Sequence, residues 1–241
     1  MATISLEILD TSHFLVKLDT SKSDSFPWNG AVGTLYDKRD GQIYRTTLIG
    51  RNRWMAENLN FKIDSSWLAN SYDWSFHATS WIRVDENKTN GSRYGRYYTW
   101  VGAMDLPVSC TDSACSYSLP RRGICPEGWH IPSNQEWQDL RATVEASPGV
   151  GKGKAGHALI ASRGWPQEET ELVTDRFGFR ALPAGSFDAP EGLGRGQAFF
   201  FSSTAFAPGA AYYSLITYAY PLLQELQYYT SSMKYSVRCV Q

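Results

Sequence analysis

The chain has 241 residues, 42% of them hydrophobic, and a formal net charge of −1 with a pI near 6.4. That apolar share supplies a sizeable core and excludes global disorder. The near-neutral balance lacks the basic excess of a nucleic-acid binder, and no run approaches the ~20 apolar residues of a membrane helix.

Residues 1–36 predict a β-rich appendage or attachment segment. Ile4–Leu9 and Phe14–Leu18 alternate around Asp10-Thr-Ser, and a polar stretch, Ser21–Ser25, follows them. The first residues show neither the charged nor the apolar region of a signal peptide. Residues 37–241 form the main predicted domain. Asp40-Gly41 signals a hairpin turn before a β-rich run, Ile43–Ile49, that stops at Gly50. Residues 62–92 are polar, aromatic and irregular, as in a long packed loop.

The clearest helix is predicted over 134–146. Ser133 and Glu136 form a capping box, and Trp137, Leu140 and Val144 fall on one face. A weaker helix is predicted over 152–162, ending at Gly164. Gly178–Gly185 and Phe199–Thr204 read as short buried strands. Two helices followed by short antiparallel strands describe an α+β domain.

Cys110, Cys115, Cys125 and Cys239 permit three disulfide pairings, and spacing alone leaves all three open. With no CxxC and with His13, His77, His130 and His157 scattered, a zinc site is a poor alternative, so no metal and no cofactor are expected. No GxSxG, HExxH, phosphate loop or paired-carboxylate signature is present, and catalysis is not expected.

Seven blocks, in order, carry a resemblance. They are Asp40-Gly-Gln-Ile-Tyr, Trp54-Met-Ala-Glu-Asn-Leu, Tyr94-Gly-Arg-Tyr-Tyr-Thr-Trp, Cys125–Trp137, Gly178–Gly185 and Ser236-Val-Arg-Cys-Val, with Phe201-Ser-Ser-Thr before the last. Together they resemble the Fibrobacter succinogenes major paralogous domain family over roughly residues 40–241. The resemblance implies a C-type-lectin-like fold of the branch shared with the formylglycine-generating enzyme. It implies a Cys125–Cys239 disulfide between neighbouring strands, and a Cys110–Cys115 link closing a short loop. Those enzymes use a redox-active cysteine pair late in the chain, whereas here the late region offers Cys239 alone.

Members of this family also resemble variable proteins of diversity-generating retroelements, in which template adenines become random bases in a C-terminal coding segment. From asparagine-type template codons, that process never yields Gln, Glu, Lys, Met or Trp. Between Thr204 and Ser236 only Gln224, Glu225, Gln227, Met233 and Lys234 depart from the rule. Composition adds independent support. Of the chain's 14 tyrosines, Tyr212, Tyr213, Tyr218, Tyr220, Tyr228, Tyr229 and Tyr235 crowd this segment, as tyrosine does in antibody paratopes.

The expectation is therefore a non-catalytic binding protein with a variable face at 204–236. Strand alternation puts Tyr212, Ile216 and Tyr218 inward, and Tyr213, Leu215, Thr217 and Ala219 outward. The full expected ligand-facing set is Phe206, Tyr213, Leu215, Thr217, Ala219, Tyr220, Leu222, Leu223, Glu225, Gln227, Tyr228, Tyr229 and Ser231. The implied partner is a protein or glycoconjugate on another cell or particle, met from a phage virion or bacterial surface, with a homo-oligomer as a further expectation. The rival reading is an undiversified carbohydrate-binding lectin. It lacks the carboxylate/amide-Pro pair and Trp-Asn-Asp triplet of calcium-dependent sugar sites; Asp188-Ala-Pro-Glu191 comes nearest.

Overall fold

The computed structural model describes residues 31–63, 75–77, 94–165, 175–186, 196–229 and 234–241. The expected N-terminal strands and most of the expected 62–92 loop lie outside these residues. Among the described residues there are three three-stranded antiparallel sheets, three α-helices and a 3-10 turn at Val108–Thr111. The first sheet joins β1 (Ala31–Tyr36), β2 (Ile43–Ile49) and β3 (Asn52–Met55). The expected hairpin turn is there. Gly41 takes φ 75° and donates to Asp37 O at 2.8 Å. Pairing of β1 with β2 carries this sheet back to Ala31, into residues expected to belong to the appendage.

The second sheet joins β4 (Ser75–His77), β5 (Arg96–Thr99) and β9 (Lys234–Tyr235). The third joins β6 (Gln197–Ala207), β7 (Ala210–Thr217) and β8 (Leu223–Tyr229). Helix α1 (Trp100–Met104) starts where the Thr99 hydroxyl accepts from Gly102 N. Helix α2 spans Asn134–Ala146, with the capping box formed in both directions and Trp137, Leu140 and Val144 buried. The second expected helix shrinks to α3 (Ala155–Leu159). Glycines flank it closely, and its apolar residues are too few to sustain further turns. Gly178–Gly185 is no strand. It is a largely buried extended segment that touches its neighbours through single bridges, Ile160 with Ala181 and Gly185 with Ala198.

Residues 234–241 form the seam on which these parts meet. Tyr235 pairs with Tyr98 in β5, and Ser236 exchanges backbone bonds with Phe199 and Phe201 in β6. Val237 O accepts from Leu59 N, Cys239 O from Met55 N, and Val240 exchanges two bonds with His130. Cys125–Cys239 locks this seam across 114 residues, and Cys110–Cys115 closes a five-residue separation. Both links agree with the pairing that the resemblance implies. In a loop-entropy account the long closure contributes about 5 kcal/mol and the short one about 2.

At the centre lies Arg238, with no exposed surface. Its Nε donates to Asn58 Oδ1 at 2.9 Å, its Nη2 to Arg180 O at 2.9 Å, and its Nη1 to Phe179 O. The guanidinium lies 4.4 Å from the Phe179 ring centroid. Burial pushes its pKa down to about 9, so it stays protonated at neutral pH. Carbonyl oxygens and ring faces, rather than a carboxylate partner, make this charge tolerable. On either side sit two large apolar clusters. One gathers Tyr98, Trp100, Trp129 and Tyr235; the other gathers Trp54, Trp137, Phe179 and Phe200. Trp54, Trp100, Trp129 and Trp137 are all buried.

Arg238→Lys should lower unfolding stability by about 2–4 kcal/mol in urea, because an ammonium cannot serve the same forked set of acceptors. Arg45→Lys, in an exposed pair with Glu57, should cost less than ~1 kcal/mol. A second test concerns pH. Burial alone would raise the Glu136 carboxyl, but hydrogen bonds from His130 and Ser133 outweigh it and hold the pKa below 4.5. A depressed folded-state value stabilises above pH 4.5, and that contribution is lost as pH falls through the folded value. Glu136→Gln should therefore be about 1 kcal/mol less stable at pH 7, with the gap closing as the pH falls through the depressed folded-state value.

Candidate ligand-binding surface

The strand pair β6–β7 divides the two apolar clusters. Ala198, Phe200 and Ile216 belong to the cluster under α2, whereas Phe201 and Ala211 belong to the other, with Phe199 and Tyr213 packed against it. Tyr213 lies 5.1 Å, centroid to centroid, from Tyr235. Simple alternation thus fails for β7. Ile216 is buried as expected, but so is Leu215 at 8% exposure, and Tyr213 turns into the core instead of outward. A strand covered on both faces reads as a continuous apolar run, with no polar face to mark the outside.

β8 shows the same effect. Leu223 is 1% exposed and Glu225 carries a side chain only 8% exposed. Glu225 pairs with Arg141 on α2. Its burial raises the carboxyl pKa, and Arg141 offsets this only in part. Leu215, Leu223 and Glu225 are thus held inside the fold, unlike the ligand-facing positions expected for them.

The remaining expected residues separate into two groups at opposite ends of β7, whose eight residues span about 25 Å at ~3.3 Å each. At the β7–β8 loop, Tyr220 is 65% and Leu222 38% exposed, Ala219 is exposed and Thr217 half-buried. This loop is rigidly seated. The Thr217 hydroxyl accepts from Tyr220 N at 3.1 Å, Gly156 N donates to Pro221 O at 2.7 Å, and Tyr218 stacks on Trp165. At the β6–β7 tip, Phe206 is 53% exposed and meets Tyr212 edge-on at 5.7 Å. Exposed Gln227 pairs with Tyr212, and register places Tyr228 opposite Ala211 and Tyr229 opposite Ala210. Ser231 lies outside the described residues. Sequence reasoning missed Tyr212 as a tip residue, and only the register with Gln227 and the bulge after Phe201 reveal it.

A cleft opens beside the tip. The Cys110–Cys115 loop forms one wall and residues 205–210 the other, with Trp100 also lining it, in a volume of about 210 Å³. The Tyr117 hydroxyl ties the walls together: it donates to Ser203 O and accepts from Ala205 N, both at 3.0 Å. Trp100 Nε1 donates to Ser202 O at 2.9 Å. Gly209 has φ 70°, and a Cβ there would stand 3.2 Å from Thr111 O, so the tip rests closely on the disulfide loop.

Both ends of the segment 204–236 are set in the core. Ser202, Ser203, Ser236, Val237 and Arg238 are all fully buried. The family model described as Fibrobacter succinogenes major domain matches residues 48–241. The chain belongs to that family. Among curated proteins and solved structures, none matches it. Within this family member's described residues, no three His, Cys, Asp or Glu side chains gather as a metal site requires, and no helix is long and apolar enough to cross a membrane.

Adjacent leucines give a sharp test of this surface. Leu223→Ala should cost about 2–4 kcal/mol in chemical unfolding, and Leu222→Ala less than ~0.5. Equal losses would mean that the β7–β8 loop packs differently.

Proposed function

We propose that this protein is a non-catalytic ligand-binding module on a C-type-lectin-like fold, whose recognition surface is carried by the segment 204–236 and diversified by a retroelement. The observation that carries this reading is the division between frame and display. The segment begins where Thr204 Oγ1 accepts from Asn134 N at the start of α2, and it ends in the buried seam at Ser236. Between these anchors, large apolar side chains stand in solvent: Phe206, Tyr220 and Leu222. Exposed groups of this type, held on a rigid support, suit a partner surface.

One departure from the adenine-substitution rule supports the same reading. Glu225 is buried against Arg141. Glu225 sits where the frame needs a particular side chain, so it is a position at which diversification would damage the fold. The aromatic and small residues elsewhere in the segment resemble a paratope, in which rigid rings supply contact area at small entropic cost. The partner is a protein on another cell or particle.

Deep sequencing of the coding region for 204–236 across a natural population tests the proposal. Changes should concentrate at codons for Phe206, Tyr212, Ala219, Tyr220 and Leu222, at bases that are adenine in a template copy. They should spare Leu223 and Glu225. Sparse variation spread evenly over the segment would refute it.

A further inference from the structure

We infer that the cleft between the Cys110–Cys115 loop and the β6–β7 tip is the anchor pocket of the recognition surface, taking a single aromatic side chain from a protein partner. This rests on the binding reading above and goes beyond it by naming what is bound and where. Size is the first consideration. At about 210 Å³ the cleft is smaller than the ~300–1,000 Å³ of pockets that enclose a whole small-molecule ligand. It is sized for one side chain entering from a larger surface, as interface anchors do.

Chemistry is the second. None of the described lining residues carries a charge. The polar groups that a sugar would need are already used. Tyr117 Oη both donates and accepts within the protein, and Trp100 Nε1 is committed to Ser202 O. Ser113 is the remaining hydroxyl among the lining side chains. A ring bearing several hydroxyls would lose water without regaining hydrogen bonds, whereas an aromatic ring loses little. Trp100, buried in the lining, and Phe206, exposed beside it, offer ring surfaces suited to edge-on or offset contact.

Rigidity is the third. The disulfide holds one wall, Tyr117 bridges to the other, and Gly209 sits against Thr111 O. A pocket already formed spares a partner the cost of ordering it. The cleft is continuous with the exposed tip at Phe206, so a ring placed in it would bring the partner's backbone across the diversified positions there. Trp100 and the disulfide-loop wall lie outside the segment 204–236, so that side of the anchor stays fixed while Phe206 and its neighbours vary.

The experiment uses the full chain, labelled with nitrogen-15, and N-acetyl-tryptophanamide as the probe. Saturable shifts should appear in the amides of 110–117 and 205–210. The exposed wall residues Ala114 and Ala207 give two independent fillings, Ala114→Leu and Ala207→Leu. Each should weaken the probe at least tenfold while leaving the thermal midpoint unchanged. N-acetyl-glycinamide and methyl glucoside at equal concentration should neither shift these amides nor displace the probe. The inference is overturned by the absence of saturable shifts there, by wild-type affinity in both filled variants, or by displacement with methyl glucoside, which would make the cleft a sugar site. Population sequencing reads the surface independently of this titration, so the pocket can fail while the surface reading stands, and the reverse.

Discussion

A guanidinium with no exposed surface and, among the described residues, no salt bridge is an expensive thing to place in a protein interior, and Arg238 makes the fold conditional on meeting its needs. Its donors reach Asn58 in the segment after β3 and the carbonyls of Phe179 and Arg180 in the extended segment before β6. These pieces are remote in sequence, and none is held by a long helix or a wide sheet. The charge therefore selects one arrangement of otherwise irregular segments, because every rival packing strands an unpaired cation. The disulfide beside it, Cys125–Cys239, closes the same seam covalently.

With that centre in place, the supporting role of the other elements follows. Helix α2 lays Trp137 against Trp54, centroids 4.9 Å apart, and against Phe200 at 5.5 Å. β6 and β7 become a wall with a core on each side. Asp37 and Arg39 fasten the β1–β2 turn to this body: Arg39 clasps the buried Asp37 carboxylate, donates to Ile124 O at 2.9 Å, and lies 3.9 Å from the Phe61 ring centroid. The tip of the β6–β8 sheet and its β7–β8 loop escape this coverage, and they carry exposed Phe206 and Tyr220.

Much of this was legible from residues alone. The capping box of Ser133 and Glu136 set the limits of α2, and the β-rich run before Gly50 set those of β2. Short-range chemistry decides such elements, so a short window suffices to read them. The disulfides became readable only through the family resemblance, since spacing left three pairings. What stayed hidden was the orientation of β7 and β8. Leu215, Tyr213, Leu223 and Glu225 look like surface candidates because alternation assumes one wet face, and here long-range contacts bury both. The cleft was equally invisible, since its walls are joined by Tyr117 to Ser203 across 86 residues. Of the two five-residue helices, Trp100–Met104 is too short to leave a period in the sequence, and the residues around Ala155–Leu159 suggest bounds that are too long.

The position of the seam has a consequence for how the molecule is made. Its hydrogen bonds join Met55 to Cys239 and Leu59 to Val237, so the nascent chain cannot complete its core until residues beyond the displayed segment have been synthesised. A frameshift or premature stop anywhere in 204–236 removes Arg238 and Cys239 together. Such a product keeps its tryptophans but loses the one strand that gathers them, and it is left to aggregation or proteolysis. Folding thus acts as a check on the reading frame of residues 204–236, because a frame lost there costs the core both Arg238 and Cys239.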